Sequence, residues 1–163
     1  VLVLPPFYYK PQNDESVIRF YSELIDAVND SKLRIIFYNF PKFTGYNFDH
    51  NVIGKMKQLF GELAAGIKDS SGNWANTAQL SDIDGLILYP RFELCVIEFI
   101  QRGGPGCISA PANLKSGDIS RVIELCHTAE WEEAEKLQDE VKAVRLLFQD
   151  YAPIPAQKAL LAE

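Results

Sequence analysis

The sequence predicts an α/β fold built on a parallel sheet, and three observations carry that prediction. Short apolar runs recur along the 163 residues. Segments with helical spacing of apolar residues lie between them. Clusters of Pro, Gly, Asn and Asp punctuate the boundaries. Strands that alternate with helices form parallel βαβ units, and near-continuous apolar runs suit strands covered on both faces.

The elements follow in order. Val1–Leu4 reads as a strand. Asp14–Asn29 is amphipathic, with Val17, Ile18, Tyr21, Leu24, Ile25 and Val28 on one stripe and Asn13 or Asp14 as its cap. Leu33–Tyr38 is a second strand, and Pro41 ends regular structure after it. Asp49 caps a helix to about Phe60. The third strand is the run from Leu63 to Ile67 with Lys68 at its end. Asn73–Leu80 is a short helix, Gly85–Tyr89 a fourth strand stopped by Pro90, and Phe92–Arg102 a helix terminated by Gly103-Gly104. Gly106–Ala110 is the fifth strand. Ser116–Thr128, Glu130–Gln149 and Ile154–Ala162 are helices.

Composition excludes several classes of function. A hydrophobic fraction of 47% and a charged fraction of 23% are those of a globular domain. A net charge of −6, with no basic stripe, argues against nucleic acid and anionic membranes as partners. No apolar run approaches a membrane span, and there is no signal-peptide pattern, so a cytoplasmic protein is expected. The opening Val1-Leu2-Val3-Leu4, inside an apolar stretch, reads as a chain cut from something longer. Cys95, Cys107 and Cys126 are odd in number and lack metal-type spacing, so reduced thiols and no metal are expected. His50 and His127 read as surface residues on helices.

Gly66-Ile67-Lys68-Asp69-Ser70-Ser71-Gly72 is the most informative stretch. A lysine in a buried strand is costly as a cation, and desolvation favours the neutral amine that attacks carbonyls. Alternation along a strand places Lys68 on one face with Gly66 and Ala64, whose small size leaves space for a substrate. These features fit both an open doubly wound sheet and part of a (β/α)8 barrel. The first turn, Pro5-Pro6-Phe7-Tyr8-Tyr9-Lys10, has no glycine and makes no phosphate cradle.

Four segments, in order, resemble the dihydrodipicolinate synthase / N-acetylneuraminate lyase family. They are Pro5-Pro6-Phe7-Tyr8-Tyr9-Lys10-Pro11, Tyr38-Asn39-Phe40-Pro41 with Thr44-Gly45, the Lys68 stretch, and Gly106-Cys107-Ile108-Ser109-Ala110 with Ala112-Asn113. The resemblance runs over the whole chain. It implies a partial (β/α)8 TIM barrel, strands 4 to 8 plus the C-terminal helices, with residues 1–113 as the partial barrel and 114–163 as its last helix and a helical extension. The first three strands, and a Gly-Thr-Thr-type loop that contacts the pyruvate carboxylate, would lie outside the chain.

The same resemblance implies a Schiff-base aldolase or lyase. Lys68 would form the imine with pyruvate or another 2-keto acid, and Tyr38 would shuttle the proton of the aldol oxygen. Ile108 would line the pocket. Tyr8 either reaches a neighbouring subunit's proton relay or packs with Phe7 and Tyr9. Phe43 stands where the synthases proper carry a carboxylate-gripping arginine, which argues against dihydrodipicolinate synthesis; Lys42 substitutes in part, as a point charge. Arg91-Phe92 replaces a small Gly-Ser pair and either narrows the pocket, binds an acidic substrate tail through Arg91, or leaves Arg91 in solvent. Asn39 shapes its loop.

Substrates of the 2-keto-3-deoxy sugar acid or 4-hydroxy-2-oxoglutarate type are implied, with an aldehyde partner, no cofactor, and a homotetramer or dimer when complete. A degenerate family member acting as a binding or assembly subunit is the alternative. An unrelated open-sheet binding module is a third reading.

Overall fold

In the computed structural model, residues 1–91, 93–147 and 151–162 are described. They fall into two compact units, Val1–Tyr89 and Pro90–Glu163. Among the described residues the sheet has four strands: β1 (Leu2–Val3), β2 (Ile35–Asn39), β3 (Ala64–Asp69) and β4 (Ile87–Pro90). Their order is β1-β2-β3-β4, and the β1–β2 and β2–β3 pairs are parallel. Each strand is therefore added on the same side of its predecessor. A doubly wound sheet reverses its strand order at a switch point; a barrel arc does not.

In the first unit, α1 (Asp14–Val28) starts at Asn13, whose side chain accepts the Ser16 N–H at 2.9 Å, while Ser16 Oγ accepts the Asn13 N–H in return. Its stripe buries Val17 and Tyr21 completely. Tyr21 meets Phe37 edge-on, with centroids 5.0 Å apart and planes at 85°. Its hydroxyl donates to Val3 O at 2.9 Å, which ties the helix to the edge strand. α3 (His50–Phe60) is capped by Asp49 and buries Val52, Ile53 and Met56. α4 (Trp74–Ser81) is capped by Asn73. Gly66 is required by close approach: an added Cβ would collide with the Ile87 carbonyl oxygen of the neighbouring strand. The space expected beside Gly66 is thus filled by backbone.

Proline acts differently from expectation at two places. Pro41 opens a short helix, α2 (Pro41–Thr44), because its fixed φ suits a first helical position. Pro90 closes β4 rather than standing outside it.

The second unit packs helices. A 3-10 turn (Glu93–Cys95) precedes α5 (Val96–Gln101), so the helix expected over Phe92–Arg102 is split; Phe92 lies outside the described residues. α6 (Ala112–His127) begins earlier than expected but is broken at Lys115, and the expected helix is its second part. α7 (Trp131–Leu147) and α8 (Pro153–Leu161) follow, and the expected extension of α7 to Gln149 lies outside the described residues. Val96, Val122, Leu125, Cys126 and Ala134 form the core, with Cys107 packed against it.

The expected fifth strand, Gly106–Ala110, is not one. Ile108 N–H donates to Pro90 O at 3.3 Å, but no ladder forms. Pro105 and Pro111 lack donors, and Gly103 and Gly106 hold φ of 86° and 143°, outside strand geometry.

Candidate active site

Strand register brings the two sequence-predicted catalytic residues together. Tyr38 pairs with Lys68, each the second-last residue of its strand. Lys68 Nζ donates to Tyr38 Oη at 3.1 Å and lies 4.2 Å from the ring centroid. Both side chains are half-buried rather than sealed. A primary amine and a phenol in mutual contact, at the carboxyl ends of parallel strands, are equipped for carbonyl addition with proton transfer alongside.

A buried polar cluster sits directly behind this pair. Asn39 and Asp69, the next residues on each strand, are also in register. Asn39 Nδ2 donates to Asp69 Oδ1 at 2.9 Å, and Asn39 Oδ1 accepts the Phe48 N–H at 3.0 Å. Asp69 further accepts the Ser71 N–H and Oγ–H, each at 3.0 Å, and the Thr77 hydroxyl. Ser70 N–H reaches Asn39 O at 2.7 Å. Asn76 Nδ2 donates to Phe48 O at 3.0 Å. The Asp-Ser-Ser-Gly turn and the Tyr-Asn-Phe-Pro turn are therefore one hydrogen-bonded structure. The sequence singled out both motifs but assigned Asp69 and Thr77 no task; the available signal was an aspartate beside a strand-end lysine, two residues before a serine.

Phe43 lies in α2, half-exposed, and its ring is 5.9 Å from Phe40 and 4.9 Å from Phe7. Phe40 in turn stacks on Tyr38 at 5.7 Å. Tyr8 is 80% exposed and meets Tyr9 edge-on at 5.0 Å, so it does not pack inside the unit. Tyr46 donates to Asp14 Oδ1 at 2.6 Å; burial, then that bond and the nearby Asp14 and Asp49 charges, raise its phenol above the ordinary range.

In the second unit, Arg91 and Ile108 are both half-buried, on the two segments joined by the Ile108–Pro90 hydrogen bond. Glu93, overlooked in the sequence, is 1% exposed. Its carboxylate accepts the Ser109 hydroxyl and pairs with Arg145 at 3.4 Å. Burial, then the charge of Glu93 and neighbouring Cys95, pushes the Cys107 thiol up to about 11. Cys107 and Cys126 carry free thiols. Among the described residues no cluster of three His, Cys, Asp or Glu side chains could hold a metal, and no helix is long and apolar enough to cross a membrane.

The model of the Dihydrodipicolinate synthetase family matches residues 1–163. The chain belongs to this family. Relatives in the dihydrodipicolinate synthetase family include the 4-hydroxy-tetrahydrodipicolinate synthases of Methanosarcina mazei, 30% identical over 98% of this chain and 54% of the relative, and Chlorobium limicola, 29% identical over 98% and 53%. The chain thus spans about half the length of the curated relatives it matches. A 2-keto-3-deoxygluconate aldolase variant from Sulfolobus solfataricus superposes with a TM-score of 0.82 at 19% identity, covering 96% of this chain and 51% of the aldolase. A prophage protein of the dihydrodipicolinic acid synthase family from E. coli K12, solved with pyruvate, gives 0.80 at 20% identity, covering 91% and 50%. These neighbours fix the fold: the sequential parallel arc is part of a (β/α)8 barrel. Membership also places the chain in a family of lyases and synthases.

Proposed function

We propose that this chain carries the imine-forming side of a pyruvate-handling aldolase or lyase. The observation that carries the reading is the 3.1 Å contact between Lys68 Nζ and Tyr38 Oη at the ends of adjacent barrel strands. Lys68 Nζ adds to the keto carbon of pyruvate, and loss of water leaves an imine. The protonated imine draws electrons from the bond between C3 and C4 of a 4-hydroxy-2-keto acid, or from a C3–H bond in the reverse direction. Tyr38 Oη takes or returns the proton of the C4 oxygen. The Asn39–Asp69 cluster holds both strand ends in the register this contact needs.

Pyruvate is product or donor in this reading, with an aldehyde as the second component. Substrates of the 2-keto-3-deoxy sugar acid or 4-hydroxy-2-oxoglutarate type both fit the pyruvate half. Ile108 and Arg91 are proposed to line the pocket, and the exposed Tyr8 to meet a second subunit of a dimer or tetramer. The span of about half the relatives' length supports an active form completed by further barrel strands.

Exchange of pyruvate methyl protons for deuterium, followed by NMR without any aldehyde, tests the proposal. It is measured on the chain and on the chain extended by the barrel strands its relatives carry. Exchange that disappears in Lys68→Ala is expected. Exchange that persists at full rate in Lys68→Ala would sink the reading. Pyruvate binding without exchange in either form would favour a degenerate binding subunit.

A further inference from the structure

We infer that α4 positions the reacting pair: Thr77 holds the turn that follows Lys68, and Asn76 holds the turn that follows Tyr38. The inference rests on the imine reading above and adds two residues to its machinery.

α4 buries Asn76, Thr77 and Leu80. A helix normally buries an apolar stripe, because a buried polar group costs free energy unless it is hydrogen-bonded. Asn76 is 6% exposed and Thr77 is 7% exposed. Both are hydrogen-bonded, and they serve the ends of different strands. The Thr77 hydroxyl donates to Oδ2 of Asp69, the residue after Lys68. A second acceptor lies inside its own helix, Asn73 O at 3.0 Å, but the carboxylate is charged and is the stronger of the two. Asn76 Nδ2 donates to Phe48 O at 3.0 Å. Phe48 N–H donates to Oδ1 of Asn39, the residue after Tyr38, also at 3.0 Å. Neighbouring helix positions diverge by about 100°, so one turn of α4 reaches both strand ends.

The strand ladder does not hold these ends alone. The pairing of β2 with β3 ends at Asn39 and Asp69, one residue beyond Tyr38 and Lys68. Past that rung both chains turn away from the strands. Asp69 Oδ1 accepts from Asn39 Nδ2 at 2.9 Å and from Ser71 N–H at 3.0 Å, while Oδ2 accepts from Ser71 Oγ–H at 3.0 Å and from Thr77. Of these four donors, Thr77 alone comes from a helix rather than from the strands and their turns. It anchors the carboxylate to α4, and with it the backbone from which the Lys68 side chain departs. The 3.1 Å contact between Lys68 Nζ and Tyr38 Oη therefore depends on α4 as well as on strand register. Both residues act through the neighbour of a catalytic residue, so they are positioning residues. Small misplacements of reacting groups lower rate steeply.

The test is the rate of reductive trapping with pyruvate and excess cyanoborohydride, on the chain and on its barrel-extended form. Trapping carried to completion counts the Lys68 amines that can form the imine. The rate per trapped amine is then independent of how much of the sample is folded. Thr77→Val keeps the shape and removes the donor. It should lower the rate per trapped amine by about tenfold and leave the half-saturating pyruvate concentration little changed. Thr77→Ser, which keeps the hydroxyl, should retain most of the native rate. Asn76→Leu leaves the Thr77–Asp69 bond in place and should slow trapping less than Thr77→Val. Thr77→Ala repeats the comparison should the valine variant not fold. A native rate per amine in Thr77→Val would overturn the inference. So would a loss seen only as fewer trappable amines, the mark of a purely structural role, or a serine variant as slow as the valine one. An effect of Asn76→Leu equal to that of Thr77→Val would overturn the assignment of Thr77 to the Lys68 side. In each of these cases a Lys68 adduct in the unaltered protein leaves the imine reading standing. No adduct in either unaltered form would overturn both.

Discussion

Asn39 and Asp69 join neighbouring strands through a 2.9 Å hydrogen bond, one residue beyond the Tyr38–Lys68 contact. The two pairs are consecutive rungs of the same parallel ladder. The buried rung holds the Tyr38–Lys68 rung in register. Asp69→Ala leaves the donors of Asn39, Ser71 and Thr77 without their acceptor. Hydrogen bonds to charged groups are worth more than neutral ones, so the loss should be about 3 kcal/mol of unfolding free energy. Chemical denaturation measures it, and a change below the error of the extrapolation would contradict the clamp.

Tyr38→Phe removes a hydroxyl but keeps the ring on Phe40 and above Lys68. Imine formation should survive, while carbon–carbon cleavage slows by roughly a hundredfold or more, the usual worth of a positioned proton donor. Single-turnover kinetics separates the two steps. Equal loss in both would mean that Tyr38 acts in imine formation itself.

Arg145→Met leaves Glu93 buried without its cation, 3.4 Å away in the native unit. Removing one partner of a buried pair costs about 3 kcal/mol. Adding Glu93→Gln, which removes the charge, should recover part of that loss. The double variant melting no higher than Arg145→Met would show that Glu93 is not held by the pair.

Cys107 should remain a thiol through the physiological range, since its pKa is pushed to about 11 by burial, then by Glu93 and Cys95. The folded state prefers the neutral thiol. Its contribution to stability is therefore complete below pH 9, the ordinary thiol value, and is lost as pH rises to about 11. Alkylation of Cys107 by iodoacetamide, followed by mass spectrometry, should stay slow at pH 8 and accelerate toward pH 11. Fast labelling at neutral pH would contradict this.

The parts of the fold written in local chemistry were legible in the sequence. Asn13 and Asp49 announce their helices because capping is a contact within one turn. Lys68 is legible because it closes an apolar run, and Tyr38 because its motif resembles the family's; the parallel register then pairs the two. Gly106–Ala110 misled because an apolar composition does not supply a ladder; Gly106 opens the segment at a φ of 143°, outside strand geometry, and prolines bound it on both sides. Periodicity alone does not distinguish a sheet that reverses from one that continues, since strand order depends on long-range pairing; the resemblance to the family does. Nor could it place Glu93 against Arg145, which are 52 residues apart. The space expected beside Gly66 failed for the same reason: its neighbour, Ile87, comes from another strand.

The most direct test of the central claim is borohydride trapping with pyruvate, read by peptide mass mapping on the chain and on its barrel-extended form. The account predicts a reduced pyruvate adduct on Lys68 in at least one of them. No adduct in either folded form, or an adduct on another lysine, would contradict it.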